Sequence, residues 1–383
     1  MQKIIEKLLW KCIRKLGVNV SYKSVKSKKD PWVFISYIPE ACYRQDPEFL
    51  NAHQNRREMK SIVDVFRHLG YNVFVQDCAN VNLPSSFSPD IIFGIEPCFE
   101  VACRKWPNAV KVYYATGAYF KHQNDMIKKR TDEFNTKYDT KYPYQRLVTE
   151  SERCDEADYI FQIGSSFTKE TYPEYLRSKI RIIRQSNTLG ESVELTKDYD
   201  NKTDYLWLGS SGTILKGLDL TVEYFKEHPE LTLHVVGNVD EEFIHILEAN
   251  QCSNIHFYGF VNTSSELFRY IARKCNFLIY PSCTEGGCPG AVINSMFYGL
   301  IPIVTKWAAF DQIKQFGYLL EDMTIESLGR AVDWSQNLSV ENIEKLSHAC
   351  QRYIQENFTL SVFRKDLTVA LNEIINANNN KSL

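Results

Sequence analysis

Short, almost continuous apolar runs separated by helix-length segments recur along this chain, and no other feature constrains its fold as tightly. The runs "WVFISYI", "YNVFVQ", "DIIFGI", "AVKVYYATG", "DYIFQIG" and "KIRIIRQ" follow one another between residues 32 and 185. A strand that is apolar on both faces has to be covered on both faces, so the runs predict a parallel sheet between layers of helix. One helix reads out directly. Asn51 stands where a cap belongs, Met59, Ile62, Val63, Phe66 and Leu69 hold a 3.6-residue period, and Gly70 closes it. From Lys121 to Thr149 the chain turns polar and aromatic, predicting helix and loop over the sheet's carboxyl edge.

A second alternation follows a break. The segment "NTLGESVELTKDYDNKTD", Asn187 to Asp204, lacks apolar periodicity and reads as a linker. Its "DYD" has the form of a metal-binding DxD but reads as solvated charge in an acidic linker. Beyond it, "YLWLGSSGTILKGLDLTVEYFKEHPELTLHVVGN" is strand, Gly-rich loop, helix and strand, and "IHFYGFV" is another strand. "TSSELFRYIARKC" predicts a helix opened by Thr263, with Glu266 completing a capping box. "NFLIYPS" and "LIPIVT" are strands, Val340 to Ile375 reads as two helices, and "NANNNKSL" as a frayed tail. The fold class is therefore α/β, with two similar doubly wound parallel-sheet domains. The expected divisions are residues 1–29, 30–195, 196–358 and 359–383, and 383 residues suffice for two cores.

The formal net charge of −2 argues against a dedicated nucleic-acid binder, but it hides an asymmetry. Residues 1–29 hold nine Lys/Arg and one Glu, net +8, so the remainder carries −10. Ile4, Ile5, Leu8, Leu9, Ile13 and Leu16 recur at helical spacing opposite most of the lysines, with Trp10 as an interfacial anchor. Such a helix lies on an anionic membrane surface through residues 1–16, or packs its apolar face on the protein itself. Its apolar stretches are too short to span a bilayer, and no cleavage site follows them. The eleven cysteines form no CxxC and no zinc-type spacing, which suits buried thiols in a reducing compartment, the cytoplasm by default.

Chemistry in such sheets belongs at the carboxyl ends of the strands. Two loops there are informative. In "LGSSGTILKG", Gly209 and Gly212 would let the backbone approach a ligand, and Ser210 and Ser211 offer hydroxyls. Lys216 stands where a helix begins. Together they form a seat for a phosphate or diphosphate, distinct from both GxxxxGK[ST] and GxGxxG. Equally, a Gly/Ser turn before a helix serves structure alone. The second loop, "CTEGGCP", joins a strand to a helix that Gly299 closes. Gly286 and Gly287 remove side chains beside Glu285, and Pro289 fixes φ at the helix start. Glu285 could also simply complement the helix dipole, and Asn294 could be a satisfied surface polar group.

These loops, in this order, resemble the carboxyl-terminal domain of family 4 glycosyltransferases of GT-B fold. That family carries PS-x-x-EG-x-P leading to a second Glu in E-x7-E, and this chain has "PSCTEGGCPGAVINSM" followed by "FYGLIPIVT". "GSSGTILKG" resembles the family's Gly-Arg…Lys-Gly loop, and "YGFV" (Tyr258, Gly259, Phe260, Val261) falls in register. In the first half, "AHQNRREM", "YYATGAYFKHQND" and "IGSSFTKETY" resemble bacterial surface-polysaccharide transferases.

The resemblance implies a GT-B architecture of two Rossmann-like domains facing a cleft, with the last helix crossing back. Lys216 would neutralise a nucleotide-sugar diphosphate lined by Gly209 and Ser210. Glu285 would lie against the donor sugar, the amides of Gly286, Gly287 and Cys288 would hold its hydroxyls, and Asn294 would face the ribose. The reaction would be sugar transfer with retention, needing neither metal nor cofactor. Two departures stand out: the family's Arg is Ser210, and its second Glu is Asn294 after a one-residue insertion. On the acceptor side, His53, Thr116, Gly117 and His122 fall at strand ends, where a His could orient or deprotonate a hydroxyl or serve merely as a cap. Lys128, Lys129, Arg130 and Arg146 would meet a phosphate-bearing, lipid-linked glycan acceptor, or form a solvated face. The rival readings are a nucleotide-sugar epimerase and a catalytically degenerate glycan- or nucleotide-binding protein.

Overall fold

The structure is a computed structural model describing residues 18–27, 30–44, 46–51, 53–85, 88–150, 153–189 and 195–381. The amphipathic stretch over residues 1–16 lies outside the described residues. Seven strands form the first sheet: β1 (Val20–Tyr22), β2 (Trp32–Tyr37), β3 (Asn72–Asp77), β4 (Ile91–Gly94), β5 (Val110–Ala115), β6 (Tyr159–Ile163) and β7 (Ile180–Ile183). Their order is β1-β3-β2-β4-β5-β6-β7, all parallel except β1, which pairs antiparallel with β3. The parallel strands coincide with the apolar runs. The short edge strand β1 carries no apolar run of its own and was not legible.

Six strands form the second sheet: β8 (Asp204–Leu208), β9 (Thr232–Val236), β10 (Ile255–Phe257), β11 (Phe277–Tyr280), β12 (Ile301–Thr305) and β13 (Tyr318–Leu320). The order β10-β9-β8-β11-β12-β13 is that of a dinucleotide-binding sheet, with every pair parallel. Each sheet is covered on both faces by an apolar layer, which is why its strands lack alternation.

Local chemistry differs from expectation in four places. The helix Gln54–Leu69 is capped by His53, whose Nδ1 accepts from the Asn55 amide, because Asn51 closes the separate short helix Pro47–Asn51. The helix Glu266–Lys274 starts at Ser265, whose hydroxyl accepts from the Phe268 amide, so Thr263 is not its cap. The described part of the linker from residue 195 is anchored rather than loose: Lys197 is buried, and its ammonium donates to the carbonyls of Ala272 and Cys275 at 2.6 and 2.7 Å. The last helix, Leu360–Lys381, continues through the stretch expected to fray. It lays Phe363, Leu367, Leu371 and Ile374 into the core of the first sheet, and Arg184 grips its Asp366 through two bonds of 2.8 Å.

The two sheets do not merely face each other. The helix Phe120–Tyr138 and the loop after it leave the first sheet and pack on the second domain. Phe134 and Tyr142 belong to the second domain's core, and Phe134 stacks on Phe243 with centroids 5.7 Å apart. Arg130 pairs with Asp219 at 2.7 Å and Lys137 with Glu223 at 2.6 Å across the same boundary.

Candidate functional site

In the second sheet the chain leaves β8 for one side and returns to the other beside β11, making a switch point between them. The loop after β8 is the one that ends in Lys216, and the loop after β11 contains Glu285. Topology alone thus brings the two loops together. The ends of β2, β5 and β6 in the first sheet supply the opposite wall through Tyr37, Tyr114, Thr116 and Ile163. Between them lies a cleft of about 380 Å³.

Ten of the expected donor-side residues line this cleft: Gly209, Ser210, Lys216, Phe260, Val261, Glu285, Gly286, Gly287, Pro289 and Asn294. His53 and Thr116 line it from the other side. Ser211, Gly212, Tyr258, Gly259, Cys288, Gly117 and His122 are not in the wall. The Tyr258 hydroxyl is engaged with His234, which in turn bonds Asp204 at 2.7 Å. His122 sits on the helix Phe120–Tyr138 with its ring edge-on to Phe167 and a buried, unpartnered Nε2.

Lys216 is only 4% exposed. Its ammonium folds back on its own loop, donating to the carbonyls of Ser210 and Ser211 at 3.3 and 2.5 Å and to the Ser210 hydroxyl at 3.2 Å. Burial, helped by the positive charge of Arg146 and opposed by Glu285, pushes its pKa down to about 8. Glu285 is half-buried. Its Oε1 accepts from the Tyr280 hydroxyl at 2.7 Å and the Ser282 hydroxyl at 3.1 Å. Both donors belong to β11 and the turn leaving it, so the strand itself fixes the carboxylate. Asn294, on the helix Gly290–Phe297, accepts through Oδ1 from the amide and hydroxyl of Thr188 at 3.3 and 3.1 Å. Among the described residues its amide nitrogen has no hydrogen-bond partner, which leaves a donor free at the cleft wall.

Close packing within the protein also calls for three of these glycines. A Cβ on Gly286 would lie 2.6 Å from the Thr116 carbonyl oxygen and the Gly117 Cα, and one on Gly287 would lie 2.8 Å from the Gly164 Cα. Gln162 also donates to the Gly286 carbonyl at 3.2 Å. The pair is bare because the two domains touch there, backbone to backbone. A Cβ on Gly209 would strike the Trp207 ring at 2.2 Å, so this glycine makes room for a core side chain.

Sequence reasoning missed Tyr280 and Ser282, whose role depends on a turn geometry that spacing does not carry. It also missed Glu58. This residue is fully buried on the helix Gln54–Leu69 yet borders the cleft, and it accepts from the amide and hydroxyl of Ser186 at 2.6 and 3.0 Å. Burial drives its pKa up to about 7. A signal existed: Glu58 stands four residues before Ile62 on the helix's apolar stripe. Arg130 is not a solvated cation, because Asp219 and Glu133 both hold it at 2.7 Å. Lys128 lies 3.8 Å from Glu150. Among the described residues no cluster of three His, Cys, Asp or Glu side chains is arranged to hold a metal.

Residues 202–335 match the family described as glycosyl transferases group 1. No curated protein sequence matches the chain. The two-domain fold is similar to that of Alr3699/HepE from Anabaena, solved in complex with UDP and glucose. The likeness has a TM-score of 0.56 over 90% of this chain and 100% of that one, at 10% identity. Sucrose-phosphate synthase from Thermosynechococcus elongatus is similar over 91% and 100% of the two chains, with a TM-score of 0.60 at 14% identity. A glycosyltransferase from Rickettsia africae follows with a TM-score of 0.54 at 12% identity, over 90% and 99%. The architecture is GT-B: two parallel-sheet α/β domains about a cleft, the second carrying a group 1 glycosyl transferase domain.

Proposed function

We propose that this protein is a family 4 glycosyltransferase moving a sugar from a nucleotide-sugar donor, UDP- or GDP-linked, to a hydroxyl of a glycan acceptor with retention of configuration. The observation that carries this reading is the convergence of the Lys216 and Glu285 loops on one cleft at the second sheet's switch point. As the acceptor oxygen bonds to the sugar's C1 and the C1–O bond to phosphate breaks, negative charge gathers on the departing diphosphate, whose released oxygen takes up the acceptor hydroxyl's proton. The Lys216 ammonium meets that charge, with no metal required. Glu285, held by Tyr280 and Ser282, faces the donor sugar, and the Asn294 amide nitrogen donates to the ribose. Phe260, 66% exposed at the rim, offers an apolar face to the base. His53 is the acceptor-side histidine that reaches the cleft.

The reading extends to a lipid-linked acceptor in cell-surface polysaccharide assembly, with the basic segment at residues 1–16 on the cytoplasmic face of an anionic membrane. Among the described residues no helix is long and apolar enough to cross a membrane. The test is thermal shift with UDP, GDP and ADP, followed by nucleoside-diphosphate release from the matching sugar nucleotide with and without extracted glycolipid. A base-selective rise in Tm that Lys216→Ala abolishes supports the donor site. Absence of any rise in the folded protein would sink it. Ser210 and the engaged oxygen of Asn294 favour a second reading, a non-catalytic binder, for which Tm rises but no diphosphate is released.

A further inference from the structure

Among the described residues Arg146 is the cleft's unclaimed cation. It comes from the first domain, in the loop after the helix Phe120–Tyr138, yet it lines the cleft beside Lys216. It is exposed, and among the described residues its guanidinium has no carboxylate partner. Its backbone sits at φ 65°, a left-handed conformation unfavourable for a non-glycine residue. The fold holds it there from both sides. The Arg146 carbonyl accepts from Gln123 at 3.2 Å. The Gln145 side chain, one residue earlier, accepts from the amides of Gly212 and Thr213 at 2.8 and 3.4 Å and donates to Asp240 at 2.7 Å. The arginine's stem then lies across Gly212, where a Cβ would come within 2.9 Å of its Cδ. Gly212, at φ 90°, thus makes way for an arginine of the other domain.

The charge reaches the pocket. After burial, Arg146 is the next cause lowering the Lys216 ammonium, and together with Arg56 it holds the cleft's His53 below the usual histidine range once burial has acted. Two cations lining one cleft repel each other, Glu285 offsets part of that, and an anion bound between them would offset more. The loop that ends in Lys216 has no second cation of its own, since Ser210 is neutral there.

We propose that Arg146 supplies the second positive charge on the donor diphosphate, so that the diphosphate site is built from both domains. This rests on the donor-site reading above. A guanidinium offers two parallel donors to a phosphate where an ammonium offers a point charge, so Arg146 and Lys216 are complementary. Anchoring through Gln145 pre-organises the arginine and spares part of the ordering entropy on binding.

The experiment is calorimetric titration of the full chain with UDP, GDP and ADP, and with their monophosphates. For whichever base binds, Arg146→Ala weakens the diphosphate by about 10- to 100-fold, as expected for charge-assisted hydrogen bonds, and the monophosphate by much less. Arg146→Lys keeps part of the affinity, and Ser210→Arg in the Arg146→Ala background regains most of it. Because Arg146 is exposed and among the described residues has no carboxylate partner, an unchanged Tm is expected for Arg146→Ala and Arg146→Lys. Equal affinity of wild type and Arg146→Ala for the diphosphate, or equal losses for mono- and diphosphate, overturns the assignment and leaves the donor site standing. A wild type that binds no diphosphate overturns both.

Discussion

Arg130 and Asp219 belong to different domains, yet their side chains meet at 2.7 Å with only 12% and 9% of their surfaces exposed. Removing one partner leaves a desolvated charge. Asp219→Ala is expected to lower the unfolding free energy by about 3 kcal/mol, at the lower end for a buried pair because Glu133 stays with the arginine. Arg130→Met/Asp219→Leu should cost less than Asp219→Ala alone. Urea unfolding monitored by tryptophan fluorescence checks both.

Lys216 gives binding a pH signature. Its pKa of about 8 lies below the free-lysine value of 10.5, so the folded protein releases this proton first. Stability therefore rises between about pH 8 and 10.5, where the unfolded chain binds the extra proton, while diphosphate affinity falls as the ammonium is lost above about pH 8. Lys216→Arg should keep affinity flat to pH 9. Titration calorimetry at pH 7, 8 and 9 decides it, and parallel pH dependence in both proteins would refute the assignment.

Glu58 carries the opposite sign. Its pKa of about 7 lies above the free value of 4.5, so the folded state holds the proton longer. The stability this provides is present below pH 4.5 and lost as pH rises through 7. Glu58→Gln should therefore raise stability at pH 8 by an amount of order 2–3 kcal/mol and leave it little changed at pH 5. Tm measured against pH is the readout.

Gly286 tests the contact between the domains. Its backbone does not need a positive φ, so the cost of Gly286→Ala lies in the 2.6 Å clash with Thr116 and Gly117. The domains must part by several tenths of an ångström, which should lower Tm by several degrees and turnover by about tenfold or more, with nucleoside-diphosphate affinity less affected. Turnover and Tm equal to wild type would show that this contact does not matter.

The sheets were legible because strands covered on both faces leave unbroken apolar runs, and those runs mark β2 through β7 closely. The Lys216 and Glu285 loops were legible because each interrupts a strand-to-helix passage with small residues. The reasons for those residues were not. Gly209 answers to Trp207, and Gly286 to a carbonyl about 170 positions upstream in the other domain. Neither partner is visible to local pattern. Arg146 could be noticed only as one charge in a basic stretch, since nothing local separates a cation aimed into a cleft from one in solvent. His53 and Ser265 took the capping roles expected of Asn51 and Thr263, each two residues further on, because several side chains near a helix start can accept from its first amides.

Phe134 and Tyr142, from the first half of the chain, complete the hydrophobic core of the second. The second domain is therefore not a portable module. Cut out at residues 196–358, it would bare the face of Phe243, strand Asp219 without its arginine and lose Gln145 from the Gly212 amide. A chimera that borrows this half from a relative would have to bring the helix Phe120–Tyr138 and the eight residues after it, because the seam that matters for assembly does not follow the linker.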